Sequence, residues 1–241
     1  MATNFQPLNK ETHKNVKIKT ISNVEDLAGQ HALGVVVQEF ALAGNQYPIA
    51  FVKDKSESFF PVAILGLEQG KNLFVSEENK WDGMYMPARY THKPFSVIPN
   101  PDDKNLYGIA IDVDSEVVSD SEGDALFNED GSESEYLDKR KASLMSYVEN
   151  EQMTKAFVEL LVKHDLLSAQ NISVKVQGKE YVLNGLNIVD EKKLNALSDE
   201  DFLEIRNRGF LGPIFAHLGS MHQVTNLIQR QAKVLAAAEA A

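Results

Sequence analysis

The stretch PIAFVKDKSESFFPVAIL, residues 48–65, decides how the first half of the chain folds. It holds two apolar runs, Pro48–Val52 and Phe59–Leu65, and the turn-forming residues DKSES lie between them. Short apolar runs that are bounded by turn residues are typical of buried strands. The stretch therefore predicts two strands of a sheet.

Five more segments of the first half have the same strand-like character, and most of them are bounded by turn residues such as AGNQ, EQGK and SEEN. They are Val16–Ile21, Gly34–Phe40, Asn72–Val75, Pro94–Ile98 and Leu106–Val113. Strand-sized runs that recur at this spacing, roughly every 8–15 residues, indicate a β-rich body. We predict a mainly antiparallel sheet that is strongly twisted or barrel-like.

The second half of the chain has helical spacing instead. Leu137, Leu144 and Val148 share one helix face, whereas Phe157 and its neighbours share a face almost opposite to it. This change of face predicts either a break near Glu149–Gln152 or one helix that packs on both sides.

Three further elements are predicted near the C-terminus from turn and capping signals. They are a hairpin of Ile172–Val176 and Glu180–Leu183 around Gly178-Lys179, a helix that begins at Ser198 and ends at Gly209, and a last helix from Pro213 to about Leu235. The fold class is therefore α+β. Residues 1–135 form a β-rich part and residues 136–241 a helical part with a small hairpin, and we expect them to build one integrated domain.

Negative charge is concentrated in one fifth of the chain. The net charge is −11, and residues 101–150 account for −10 of it, with 4 basic and 14 acidic side chains. Within this region Asp112–Glu135 holds ten carboxylates and no Lys or Arg. We predict a long exposed loop there, with one pinned strand turn and a tight turn at Asp130-Gly131. The charge argues against nucleic acid as a partner.

A calcium site in this acidic loop is an alternative that the sequence supports poorly. An EF-hand that begins at Asp120 would need glycine where Ala125 stands and glutamate where Gly131 stands. We therefore favour a solvated or partner-facing loop.

The cysteine content and the distribution of apolar residues also indicate the cellular compartment of the protein. The chain has no cysteine, which excludes disulfides and thiolate nucleophiles. Its N-terminus shows no apolar segment after a basic start, and no apolar run approaches the roughly 20 residues of a membrane helix. We expect a soluble cytoplasmic protein that does not insert into membranes.

The chain shows no recognisable catalytic motif, so we favour a protein without catalysis, leave the question of an enzyme open and predict no cofactor. The sequence has no G-x-S-x-G elbow, no P-loop and no HExxH pair. One enzymatic alternative stays open, namely a metal site built from His31, His92 and a carboxylate.

The segment WDGMYMPARYTHKPF, Trp81–Phe95, is the best candidate for a binding surface because it places aromatic side chains around basic ones. Such a mixture suits recognition of a peptide or a small anion. The alternative is that these aromatic residues cover one end of the sheet. The candidate ligand-binding residues are Tyr47, Trp81, Tyr85, Arg89, Tyr90, His92 and Phe95.

The order of motifs resembles the bacterial SapC family over roughly residues 5–232. The resemblance rests on YPIAFVKD at Tyr47–Asp54, LGLEQGKNLFV at Leu65–Val75, YMPA at Tyr85–Ala88, GDALF at Gly123–Phe127, GLNIVDEKKLNALSDE at Gly185–Glu200 and GFLGPIFAHLGSMHQVTNLIQRQ at Gly209–Gln231. One departure is RYTHKPF at Arg89–Phe95, where the family usually has a run rich in Arg and Tyr.

The resemblance implies a link to bacterial surface layers and to outer-membrane uptake systems, since such genes are often found near those of TonB-dependent receptors. It implies no reaction and no functional residues. Our leading hypothesis is a soluble accessory binding protein that recognises a peptide, a small anion or a partner protein without catalysis. A metal-dependent enzyme that modifies a peptide or small molecule is one alternative, and a structural surface-layer component is another.

Overall fold

All strand pairs are antiparallel in the computed structural model, which describes residues 3–99 and 107–240. The strands are β1 (Phe5–Pro7), β2 (Lys17–Ile18), β3 (Ala32–Gly34), β4 (Ile49–Lys53), β5 (Phe59–Ile64), β6 (Phe95–Pro99), β7 (Tyr107–Asp112), β8 (Val118–Ser119), β9 (Asp124–Ala125), β10 (Leu167–Val176) and β11 (Lys179–Val189). The α-helices are α1 (Lys10–His13), α2 (Phe40–Ala43), α3 (Ala88–Thr91), α4 (Glu135–Lys163), α5 (Glu191–Asn195), α6 (Asp199–Asn207), α7 (Leu211–Ser220) and α8 (Val224–Ala240). The predicted α+β class is confirmed.

The chain divides into two compact units. The first unit is Met1–Ser22 with Ala88–Glu149, and the second is Asn23–Pro87 with Asn150–Ala241. These units differ from the predicted parts 1–135 and 136–241, because each unit combines two segments that are not adjacent in the sequence. Residues that contact one another thus come from separate parts of the sequence, even though strands and helices are concentrated in different halves of it.

Two small sheets build the first unit, with strand orders β1-β7-β6 and β8-β2-β9. Neither closes on itself within the described residues, and the same holds for the sheet of the second unit. The sheets, the segments next to them and helix α4 contribute to one core, which consists of Ile18, Phe95, Ile111, Val117, Leu126, Phe127, Leu137 and Leu144.

The acidic segment contributes two short strands rather than the single pinned turn that we predicted. Strands β8 and β9 flank β2 on its two sides, so the apolar residues around them reach the core. Gly123 between them has a φ of +105°, and a Cβ atom there would lie 2.3 Å from the Ile18 carbonyl oxygen. Glycine is therefore required at this close approach. The predicted turn at Asp130-Gly131 is present, since Gly131 has a φ of +82°.

A five-stranded sheet of order β10-β11-β4-β5-β3 builds the second unit. Aromatic rings fill its core, and Phe157 of α4 lies at their centre. Its ring centroid lies 5.8 Å from that of Phe40, 6.2 Å from that of Phe51 and 5.2 Å from that of Phe210. All four rings are buried.

Helix α4 is continuous, so the predicted break near Glu149–Gln152 is wrong and the alternative of one helix is right. Leu137 and Leu144 belong to the core of the first unit, whereas Phe157 and Leu161 are buried in the second. The change of apolar face coincides with the residue at which the helix passes from one unit to the other.

The predicted ends of α6 are confirmed by their capping geometry. The Ser198 hydroxyl accepts a hydrogen bond from the Asp201 N–H at 3.2 Å. At the other end Gly209 has a φ of +76°, and the Phe210 N–H donates to the Ile205 carbonyl at 3.1 Å. This is a Schellman ending.

Two of the predicted strands are wrong because side chains hold the backbone in turns. Strand β3 already ends at Gly34, and the Val36 N–H then donates to a carboxylate oxygen of Glu39 at 2.8 Å, which starts a 3₁₀ turn. In Asn72–Val75 the Asn72 side chain accepts from the Phe74 N–H at 2.9 Å. The only ladder contact of that segment in the described structure is an isolated bridge from Val75 to Trp81.

Two C-terminal elements differ in extent from the prediction. The hairpin spans Leu167–Val189, and its turn lies at Gln177-Gly178, one residue earlier than predicted. Both turn residues have positive φ, at 48° and 84°, which matches a type I′ turn. The predicted last helix from Pro213 is interrupted by a 3₁₀ turn at Met221–Gln223. The predicted strand Leu106–Val113 and the PNPDDKN segment before it lie partly outside the described residues.

Candidate functional site

The structure distributes the seven candidate ligand-binding residues over both units. Tyr47, Trp81 and Tyr85 belong to the second unit, and Arg89, Tyr90, His92 and Phe95 belong to the first. The two groups are therefore described separately.

In the second unit a hydrogen-bonded network surrounds the fully buried Tyr47. Its hydroxyl lies 2.9 Å from Oε1 of Gln46 and also contacts the Tyr85 carbonyl. The Tyr85 N–H donates to the same Gln46 oxygen at 3.1 Å, and the Trp81 indole N–H donates to the Tyr85 carbonyl at 3.0 Å. Burial raises the pKa of the Tyr47 phenol well above its usual range, although the charge of Arg230 opposes this. Tyr47 is therefore neutral.

The Tyr85 side chain extends the network to a buried carboxylate. Its hydroxyl donates to Oε1 of Glu39 at 2.7 Å, and the other oxygen of Glu39 accepts from the Val36 N–H. Such contacts are expected of the alternative in which these aromatic residues cover one end of the fold. A binding role for Tyr47, Trp81 and Tyr85 stays a prediction.

Arg230 of α8 binds the two segments next to this network, at Leu73–Phe74 and at Asp82. We call these contacts the Arg230 clamp. The guanidinium donates to the Asp82 carboxylate at 2.7 Å, to the Asp82 carbonyl at 2.7 Å and to the Leu73 carbonyl at 3.2 Å. It also lies 4.0 Å from the centroid of the Phe74 ring. Only a planar group with several N–H donors can make all these contacts at once.

We predict that Arg230→Lys lowers the free energy of unfolding by about 2 kcal/mol, because an ammonium group cannot replace the forked hydrogen bonds. Urea denaturation followed by the fluorescence of Trp81, the single tryptophan of the chain, measures this. The exposed Lys233 on the same helix supplies the control Lys233→Arg. Equal stabilities of the two variants would contradict the role of the clamp.

In the first unit the other candidate residues have unlike environments. Arg89 is exposed, whereas Phe95 belongs to the core. The buried ring of His92 packs edge-on against Tyr147 at 4.9 Å. Burial lowers the pKa of His92, and the charge of Arg140 lowers it further, so His92 is neutral at pH 7. These side chains do not present one common surface.

The alternative metal site of His31, His92 and a carboxylate is not among the groups of suitably spaced ligands in the described residues. His31 belongs to the second unit and His92 to the first. Within the described ranges, one group of three metal-ligating residues has suitable spacing, and it consists of His164, Asp201 and Glu204.

In this cluster the carboxylate of Glu204 already has two cationic neighbours and an imidazole ring beside it. It lies 2.7 Å from the Lys163 ammonium, 3.3 Å from the Arg208 guanidinium and 3.0 Å from Nε2 of His164. Asp201 lies at the opposite ring nitrogen, 3.6 Å from Nδ1. Together these contacts form an ion-pair network between α4 and α6.

A groove of about 600 Å³ lies in the first unit beside β7, and we call it the β7 groove. Its apolar lining comes from Leu8, Ile109, Phe127 and Met145, and its basic residues are Lys10 and Lys141. The volume is in the range of known ligand sites, and a mostly apolar wall with a few polar groups is their usual lining.

The two lysines of the β7 groove differ in their charge balance. Lys141 contacts both carboxylate oxygens of Glu133, at 2.8 and 2.6 Å. Lys10 is exposed, and no carboxylate of the described residues lies within ion-pair distance of it. Within the described part of the chain, Lys10 is therefore the cationic group of the groove that has no carboxylate partner.

Sequence reasoning missed this groove because its walls come from separate segments of the chain. One local signal existed. Lys141 and Met145 lie four residues apart and thus share a helix face, and neither fits an apolar core stripe.

The fold and the groove together define a mixed α+β protein with a ligand-sized cleft in its first unit. The sequence profile of the SapC family matches residues 8–227, and the chain belongs to this family. No curated protein and no solved structure matches it. In the described part of the chain, every helix is too short or too polar to cross a membrane.

Proposed function

We propose that this protein is an accessory binding protein, linked to bacterial surface-layer or outer-membrane uptake systems, that recognises a peptide, a small anion or a partner protein without catalysis. The observation that carries the proposal is the β7 groove, in which an apolar wall lies beside Lys10, a lysine with no carboxylate partner among the described residues. The link to surface layers rests on the family name. Nucleic acid and membrane insertion have no place in the proposal.

The charge distribution supports a selective role for the groove. Residues 101–150 carry a net charge of −10, so most of the surface that this segment exposes repels anions. In that acidic setting Lys10 lies beside apolar side chains and has no carboxylate partner in residues 3–99 and 107–240. A ligand with a carboxylate and an apolar group would gain both ion pairing and burial at this place.

Capture from native cell-envelope extract tests the proposed function. We expect the wild-type protein to retain a specific partner at moderate ionic strength, and the groove variant Lys10→Glu/Met145→Glu to lose it. The variant Lys14→Glu/Met153→Glu is the control, because it changes the exposed lysine that directly follows α1 and an exposed methionine of α4, both outside the β7 groove. Equal capture by both variants, or no specific partner at any ionic strength, would sink the proposal.

The cluster of His164, Asp201 and Glu204 favours a second candidate, a metal-dependent enzyme. One imidazole and two carboxylates suit zinc or another transition metal. Elemental analysis of the purified protein decides this, together with thermal unfolding in the presence of zinc. Stoichiometric metal that is lost in His164→Gln would support the enzyme, and a metal-free protein without any thermal shift would reject this site.

A further inference from the structure

We propose that the ligand of the β7 groove is an extended peptide segment that carries a carboxylate. This inference rests on the proposed function and names the chemical class of the ligand. Three features of the groove support it, namely its open strand edge, its apolar wall and the charge of Lys10.

The open strand edge belongs to β7, and it is open because β1 ends before it reaches Tyr107. The Leu8 N–H donates to the Ile109 carbonyl at 2.8 Å, so Ile109 directs its main-chain groups towards β1. In an antiparallel ladder every second residue faces the same edge, and the next such residue of β7 is Tyr107. Strand β1 has ended there, because Asn9 already caps helix α1. Strand β6 lies on the other side of β7, with Pro99 opposite Tyr107, but no described strand lies beside Tyr107 on the edge that faces β1. An added strand can therefore pair with its N–H and C=O groups there.

The apolar wall can receive side chains of such a strand. Tyr107 is 48% exposed and Met145 is 37% exposed, although both are large and line the groove. Methionine adapts to different apolar partners, and tyrosine offers a ring together with a polar end. Side chains at alternate positions of an extended peptide point to one face, so two of them can reach this wall.

The positive charge of Lys10 favours a negatively charged group on the ligand. The two carboxylate oxygens of Glu133 already balance Lys141, which leaves Lys10 as the one cation of the groove without a described counter-charge. A glutamate side chain or a terminal carboxylate of the peptide supplies the missing charge. A basic group of a peptide would instead meet the like charge of Lys10.

Selection from a peptide pool tests the inference with the full chain. The probe is a pool of fluorescein-labelled hexapeptides with random interior residues and a fixed glutamate, compared with the same pool in which glutamine replaces the glutamate. We expect enrichment from the glutamate pool only. For an enriched peptide, Lys10→Glu should weaken binding by at least about tenfold at low salt. Lys14→Glu should leave binding unchanged, and N-methylation of the peptide backbone should weaken it.

The outcomes separate this inference from the proposed function. If neither pool is enriched, or if glutarate alone binds as tightly as the best peptide, the peptide inference is wrong. The proposed function survives that result when the Lys10→Glu/Met145→Glu variant still loses its captured partner. A selected peptide that binds equally well after N-methylation overturns the strand-edge contact and with it the extended binding mode.

Discussion

Replacing Phe157 with alanine is expected to lower the free energy of unfolding by about 4 kcal/mol. Phe157 has no exposed surface, and its ring contacts three other aromatic rings of the second unit, those of Phe40, Phe51 and Phe210. Alanine would leave a cavity among rigid rings that cannot collapse to fill it. Urea denaturation followed by Trp81 fluorescence reports on the same unit.

Met153 provides the matched control for this prediction. It lies on α4 one turn before Phe157, but 46% of its surface is exposed. Met153→Ala should therefore change the free energy of unfolding by less than about 0.5 kcal/mol. If the two alanine variants lost similar stability, the aromatic cluster would not be the core of the second unit.

Lowering the pH from 6.5 to 4 is expected to reduce the free energy of unfolding of the second unit by about 3 kcal/mol as a result of His217. This figure is the contribution of that one residue. The pKa of His217 is lowered from 6.5 to about 4 by burial. This value already includes a smaller, opposing effect of a hydrogen bond with the Ile49 backbone. The Val189 N–H donates to Nε2 at 3.0 Å, so the folded protein holds the ring neutral. Below pH 6.5 the unfolded chain binds a proton that the folded chain does not bind, and stability falls until pH 4. Each pH unit in this window corresponds to about 1.4 kcal/mol.

His217→Gln tests the source of this pH dependence, because glutamine offers an acceptor to Val189 but does not titrate. The slope of unfolding free energy against pH should become clearly shallower between pH 6.5 and pH 4. His222→Gln removes an exposed histidine five residues after His217 and should leave the slope unchanged. A wild-type slope in His217→Gln would show that His217 does not carry the effect.

Much of the secondary structure could be predicted because its signals are local. Apolar runs and turn residues located β4, β5 and β6, and Ser198 and Gly209 marked the ends of α6. Each of these signals acts over a few residues. The SapC resemblance, which rests on ordered motifs of the same kind, was confirmed as well.

The predictions that failed depended on side-chain partners. Val35–Phe40 has the composition of a strand, yet Glu39 holds the Val36 N–H and Thr154 holds the Val37 N–H at 2.8 Å. The second of these contacts joins residues that are 117 positions apart. A pattern within one segment contains no information about such a partner.

The sequence alone determined the fold class, the positions of most strands, the capped helix α6 and the family, since periodicity, caps and motif order are properties of neighbouring residues. Only the tertiary structure decided that Tyr47, Trp81 and Tyr85 share one buried network and that Lys10 and Met145 meet at the β7 groove. The physical reason is that burial and pairing depend on which distant segments pack together. Packing of this kind places Lys10 of one segment beside the apolar side chains of others, an arrangement that the order of residues along the chain does not show.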